Sequence, residues 1–259
     1  MSDPVRPSTQ HSDDFLIGGG EMGKVVRAKD WSRTPLGPIE SWPQSLRTAV
    51  SLALASNFPI NIIWGPQRNQ IYNDGYRPLC GAKHPHSMGQ DYKECWLSAW
   101  PVIGGAFERA SGGEAAFLVN QRMFLDRNGY LEETFFTFSH SPIRDESGAV
   151  AGLFHPVTEL TQQSLTERRL TILRDLADNT TQAKSVEDAA RLIAETLKRS
   201  ELDVPFALLY LLESDGKRAL GAACGVGARR RSAAGRFGNV AAALAAVRGG
   251  AITTNYTSR

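Results

Sequence analysis

The chain has 259 residues, enough for one or two domains, and its 42% hydrophobic and 22% charged content is that of an ordinary globular protein. A net charge of +2 is too small for the electrostatic footprint of a nucleic-acid or membrane-surface binder. No apolar run approaches the roughly 20 residues that span a bilayer, the polar N-terminus has no leader-like apolar core, and Cys80, Cys95 and Cys224 form no C-x-x-C pair, so reduced thiols in a cytoplasm are expected.

Residues 1–14 are rich in Pro, Ser and Asp and are predicted to be disordered. Gly18 to Lys24, GGGEMGK, satisfies both G-x-G-x-x-G and the first part of a phosphate loop. Both motifs need a preceding strand and a following helix. Val25 stands where a Ser or Thr would meet Mg²⁺, and VVRAKDW shows no helix start, so a flexible Gly-rich lead-in is expected. A helix is predicted over 41–56, with Ser41 as cap, Pro43 in the first turn and Gln44 completing a capping box. Trp42, Leu46, Val50, Ala53 and Leu54 share one face of it, which must be buried on a sheet or on a second subunit.

Residues 59–65 and 70–73 read as strands, 77–100 as short helices broken by Gly81, Pro85, Gly89 and Pro101, and 102–111 as a longer helix. A strand over 117–126 leads into an Asn128-Gly129 turn, a hairpin signal. Residues 135–143 alternate, with Phe136, Phe138 and His140 on one face and Thr137, Ser139 and Ser141 on the other. Asp145 to Gly148 is a turn, 149–157 a strand, and 159–179 a charged helix. In that helix Leu165, Ile172 and Asn179 take heptad d positions, with Arg169 and Leu176 at a. Ser185 then caps a helix that buries Val186, Ala189, Ala190, Ile193 and Leu197, and 203–227 reads as strand, Ser-Asp-Gly turn, strand.

The run F-x-x-x-P-I-x-D-x-x-G from Phe138 to Gly148, a strand, and then Glu159-Leu160-Thr161 resembles the end of a PAS domain, a small sensory module. Family members usually have Asp-Ile-Thr or Asp-Val-Thr there, so Glu159 keeps the carboxylate with one more methylene. Upstream, Met22, Gly23, Arg27, Asp30, Trp31, Ser32, Thr34 to Pro38, Trp42, Pro43, Ser45, Leu46 and Arg47 resemble a segment that precedes the PAS domain in bacterial sensor histidine kinases. Residues 203–227 resemble the opening of a GAF domain, which is longer than the residues that remain, so the chain is expected to end inside it, as a truncation or frameshift would produce. The residues past 227 are then expected to be poorly ordered or aggregation-prone.

These resemblances imply an α+β chain: an N-terminal extension over 15–57, a PAS-type five-stranded antiparallel sheet with flanking helices over 58–160, a signalling helix over 161–180 and an incomplete GAF-like α/β segment over 181–259. They imply a signal-input module of a two-component phosphorelay that answers to a ligand or partner. A dimerisation module without ligand and a degenerate kinase are the alternatives. Candidate residues for the cup are Trp64, Tyr72, Asn73, Phe107, Phe117, Phe136, Phe138 and His140, and Glu159 and Thr161 would transmit the signal. A small molecule can occupy such a cup, with no cofactor assigned, and a homodimer would form through helices 41–56 and 161–178.

Chemistry is otherwise sparse. Ser139-His140-Ser141-Pro142 is superficially similar to a phosphoacceptor box, but its flanks alternate as a strand and Pro142 opposes a helix. The histidines at 84, 86, 140 and 155 have no metal-ligand spacing, and no N-C-R-F-L-Q motif surrounds Cys80, so neither a metal nor a flavin adduct is expected. ATP-binding boxes are missing, and no catalytic residue is assigned.

Overall fold

In the computed structural model, which describes residues 14–16, 18–212 and 218–225, five strands build one antiparallel sheet: β1 (Ile60–Trp64), β2 (Asn69–Tyr72), β3 (Ala116–Leu125), β4 (Glu132–Arg144) and β5 (Val150–Glu159). Their order is β2-β1-β5-β4-β3. The first strands thus pair with the last, the order a PAS-type sheet requires. Register decides the faces. Asn61 sits opposite His155, and Phe138 opposite Val157, on one face; Ile62 sits opposite Phe154 on the other. The alternation read in β4 holds, with Thr134, Phe136, Phe138 and His140 buried.

Two segments of the N-terminal extension become α1 (Gly20–Ala28) and α2 (Gln44–Ala55). Leu46, Val50, Ala53 and Leu54 of α2 are buried, and the helix packs on β1, β2 and β4. Its apolar face is therefore spent on the chain's own sheet. Ser41 is not its cap: Pro43 holds that position without a side-chain bond, and the Ser41 hydroxyl donates to the Pro38 carbonyl at 2.7 Å.

The helix α1 corrects the reading of 18–29 as an unstructured lead-in. Its exposed amides do meet an anion, but an internal one: Glu21 N and Met22 N donate to the Asp74 carboxylate at 3.0 and 2.6 Å. Such a carboxylate satisfies orphan N–H groups and complements the helix dipole. A Cβ at Gly20, whose φ is 56°, would lie 1.8 Å from Asp74 Oδ2, so only glycine lets the carboxylate approach.

Opposite α2, the sheet is covered by α3 (Arg77–Cys80), α4 (Tyr92–Cys95) and α5 (Trp100–Ser111). Pro101 does not break α5; it occupies the first turn, where a missing N–H costs nothing. Asp91 caps α4 through Lys93 N and Glu94 N, and its carboxylate also takes both Nε and Nη2 of Arg68 in the β1–β2 turn.

A long helix α6 (Thr161–Thr180) follows β5, whose last residue is Glu159, so the strand runs two residues further than expected. The chain divides into two compact units at Leu165/Thr166. In the second, α7 (Val186–Lys198) packs on a two-stranded antiparallel ladder of β6 (Phe206–Leu212) and β7 (Arg218–Gly225). Ser185 caps α7 as expected, accepting from Asp188 N at 3.1 Å, but Val186 is exposed and Ala194 is buried in its stead. Leu165, Ile172, Leu176 and Asn179 of α6 are half-buried, while Arg169 is exposed, as are Leu170 and Leu173. Asn179 donates to Thr196 within the second unit. Residues 1–13 of the predicted disordered tail, the Ser-Asp-Gly turn and the segment past 225 lie outside the described residues, whereas Asp14, placed at the tail's end, opens a short 3-10 helix over Asp14–Leu16. Among the described residues no helix is long and apolar enough to cross a membrane.

Asn73 and Asp74 tie the extension to the sheet. The Asn73 amide nitrogen shares its two N–H groups among Ala53 O, Ser56 O and Phe58 O, and its oxygen accepts from Ile60 N and Tyr76 N, all within 3.0 Å. Asn73→Ala is expected to lower stability on the order of 3 kcal/mol by orphaning buried groups. Asp74→Ala should lower it by about 1 kcal/mol, as a lost cap does. Urea titration of the whole chain checks the ranking.

Candidate ligand cup and signalling joint

Between the sheet and its helical cover lies a cavity of about 40 Å³. Tyr76, Leu79, Tyr92, Trp96, Ala99 and Ile103 line it from the cover; Met123, Leu125, Phe136, Phe138, His155 and Val157 line it from the sheet. All twelve are buried. Since a water needs at least 10–15 Å³ measured this way, there is room for about three.

Behind the wall runs a chain of hydrogen bonds. His155 Nδ1 lies 2.9 Å from the Ser139 carbonyl, so it carries the proton and Nε2 is an acceptor. Tyr92 Oη is 3.3 Å from that Nε2 and 3.4 Å from His140 Nε2. With one hydroxyl proton to give, Tyr92 donates to His155 and accepts from an Nε2–H of His140. The alternative tautomer of His140 would bury an unpaired N–H, which is rarer and costlier than an unpaired acceptor. His140 Nδ1 is left without a partner, as are Asn61 Oδ1, Asn69 Nδ2 and Gln70 Nε2. The two imidazoles stack with centroids 4.3 Å apart. Burial, and secondarily His155, pushes His140 from the ordinary 6.5 down to about 2. Burial pushes His155 down to about 4 against the support of the Ser139 carbonyl. Both rings are neutral at neutral pH.

Of the eight residues predicted for the cup, Phe136 and Phe138 line it. His140 stacks behind His155, and Phe107 packs on Tyr92 and His140. Tyr72 bonds His84 and Ser87 instead. Asn73 is the clamp that holds the extension, and Trp64 borders a separate groove with Arg68 and Gly152. Phe117 is 66% exposed on the opposite face of the sheet, where its register partner is Ser139. Sequence reasoning missed Tyr76, Tyr92, Trp96 and His155. Of these, only His155 had a signal, the alternation Leu153-His155-Val157 in β5.

Glu159 and Thr161 meet at the end of the sheet. Arg127 Nη1 and Nη2 grip Glu159 at 2.9 and 2.8 Å, a bidentate pair. The Thr161 hydroxyl donates to Glu159 Oε1 at 2.8 Å and accepts from Phe135 N at 3.1 Å. Burial pushes the Glu159 carboxyl up, but Arg127 and Thr161 outweigh it and hold it below the usual range. A further tether joins Ser164 of α6 to Asn120, a residue at φ 47° in a bulge of β3.

No family model and no curated protein matches the chain. Among solved structures it is similar to an RNA-binding light-oxygen-voltage receptor, at 15% identity over 51% of this chain and 38% of that one, with a TM-score of 0.36. It is also similar to the light state of the Aureochrome1 LOV photoreceptor (12% identity, 44% of this chain, 89% of that one, TM-score 0.34). A third is a light-oxygen-voltage domain studied with a flavin analogue (14% identity, 48% and 90%, TM-score 0.35). The PAS-type strand order rests on the register of this chain's own sheet. A flavin does not fit the cup as it stands: the 40 Å³ cavity is well below the roughly 150 Å³ that an engineered cavity uses for benzene, and neither Cys80 nor Cys95 lines it.

The neutral histidines predict a pH dependence. Below 6.5 the unfolded chain takes up protons that the folded cup refuses, so stability falls as pH drops from 6.5 toward about 4. The slope should approach about 2.7 kcal/mol per pH unit for two such groups and about 1.4 in His155→Gln. Denaturant midpoints through this window check it.

Proposed function

We propose that the chain is a PAS-type signal-input module, in which occupancy of the cup shifts the population of the joint that carries α6. The observation that carries this reading is Arg127. Its side chain grips Glu159 at the start of the outgoing helix, while its carbonyl accepts from Ala82 N, beside α3 in the cover, at 2.9 Å. Movement of the cover over a ligand is thereby coupled to the strand end from which α6 leaves. A ligand acts by favouring one arrangement over another, and only to the extent of its differential affinity.

The resemblance of residues 22–47 to the lead segment of bacterial sensor histidine kinases supports a role at the input of a two-component phosphorelay. The resemblance of residues 203–227 to the opening of a GAF domain supports a GAF-like module after α6. In this role the present chain supplies sensing, and a kinase core would supply phosphotransfer; buried His140 in β4 is no phosphoacceptor.

Arg127→Ala in the whole chain should raise amide exchange in residues 160–165 about tenfold, equivalent to about 1.4 kcal/mol of local opening. Exchange in β1 should stay unchanged. Unaltered exchange at the start of α6 would sink the coupling.

A second reading, a homodimerisation module, is favoured by one observation: Phe117 and Val119 of β3 are 66% and 59% exposed on the side of the sheet that α2 covers only in part. Sedimentation of wild type as a dimer and of Phe117→Glu as a monomer would support it; a wild-type monomer at high concentration would remove it.

A further inference from the structure

The chemistry of the cup's inner surface narrows what it can hold, and a ligand class inferred from it rests on the signal-input reading of the chain. No lining residue carries a charge. The polar tips of Tyr92, Trp96 and His155 are spent on the wall: Trp96 Nε1 donates to Gln70 Oε1 at 3.2 Å, Tyr92 serves the two histidines, and His155 Nδ1 is held by Ser139. The Tyr76 hydroxyl is the one other polar tip in the lining. The four unpartnered polar atoms of this region belong to Asn61, Asn69, Gln70 and His140, none of which lines the cavity. A buried water needs two to four polar partners, and without them a void stays dry. In a close-packed interior such a void also leaves its lining short of dispersion contacts, which an apolar guest restores.

We propose that the cup takes a small, uncharged, apolar molecule of a few heavy atoms, a dissolved gas or a short hydrocarbon. A volume near 40 Å³ suits that size, and Met123, unbranched and adaptable, lets the wall yield a little more. Access runs through the cover, where α3 and α4 are only four residues each. Short elements of this kind open locally at low cost.

Xenon is the probe. Methyl NMR of the whole chain under xenon pressure should show saturable shifts at Met123, Ile103, Leu79 and Leu125, and none at Met22, which is buried outside the cavity. Ala99→Val fills the space from the cover and should weaken xenon binding about tenfold or more, while the α2 methyls of Val50 and Leu46 hold their positions and report the fold. If that variant does not fold, Ile103→Ala enlarges the cavity and should admit benzene, which wild type excludes. Absence of saturable shifts in wild type overturns the proposal. So does a polar planar probe such as uracil moving the same methyls at lower concentration than xenon. If xenon fails while Arg127→Ala still loosens α6, the ligand class falls and the input reading stands.

Discussion

One side-chain amide sits where three layers part. At the end of β2 the chain must leave the sheet, start the cover and stay joined to the extension behind it. Asn73 meets all three demands, accepting from the first residue of β1 and from Tyr76, and sharing its two N–H groups among three carbonyls between Ala53 and Phe58. Its neighbours divide accordingly. Tyr72 and Tyr76 turn toward the cover, where their rings lie 5.6 Å apart, while Asp74 reaches back to α1. These four residues thus bind cup wall and extension into one body, and a buried amide with all its partners is strong because any alternative leaves several groups unpaired.

Much of this sheet is legible from sequence because period two survives in β4 and β5, where one face is buried. It fails in β3 for a physical reason. Ala116 and Leu118 face the cover at even positions, Met123 and Leu125 at odd ones, and the bulge between Leu118 and Gln121 changes the phase. Phe117, read as a cup residue, falls on the other face. The extension shows a different limit. Ser41 has the composition of a cap, yet α2 starts at Gln44 without it, whereas α1 is capped by a residue 53 positions away. Local signals cannot report a cap supplied by tertiary structure. The cup's aromatic cover was hidden likewise, because Tyr92 and Trp96 sit in short helices with no period long enough to reveal a face.

The two buried histidines, His140 and His155, serve as neutral hydrogen-bonding rings. Burial, joined for His140 by the neighbouring His155, keeps both rings uncharged, and that lets an aromatic compartment close over them. A charged imidazole there would need water or a carboxylate, and no carboxylate lines the cavity. The same four letters, Ser-His-Ser-Pro, that resemble an exposed phosphoacceptor therefore lie in β4, with the histidine turned into the buried face.

The clamp at Asn73 and Asp74 also bears on where this domain begins. A boundary drawn by family resemblance at residue 58 would remove α1 and α2 and strip the sheet's outer face of its cover. Ile60, Ile62 and Ile71, now buried, would form a flat greasy surface on adjoining strands, the kind that self-associates. The shortest piece that keeps this face covered is thus set by the Asp74 carboxylate, and it starts before Gly20.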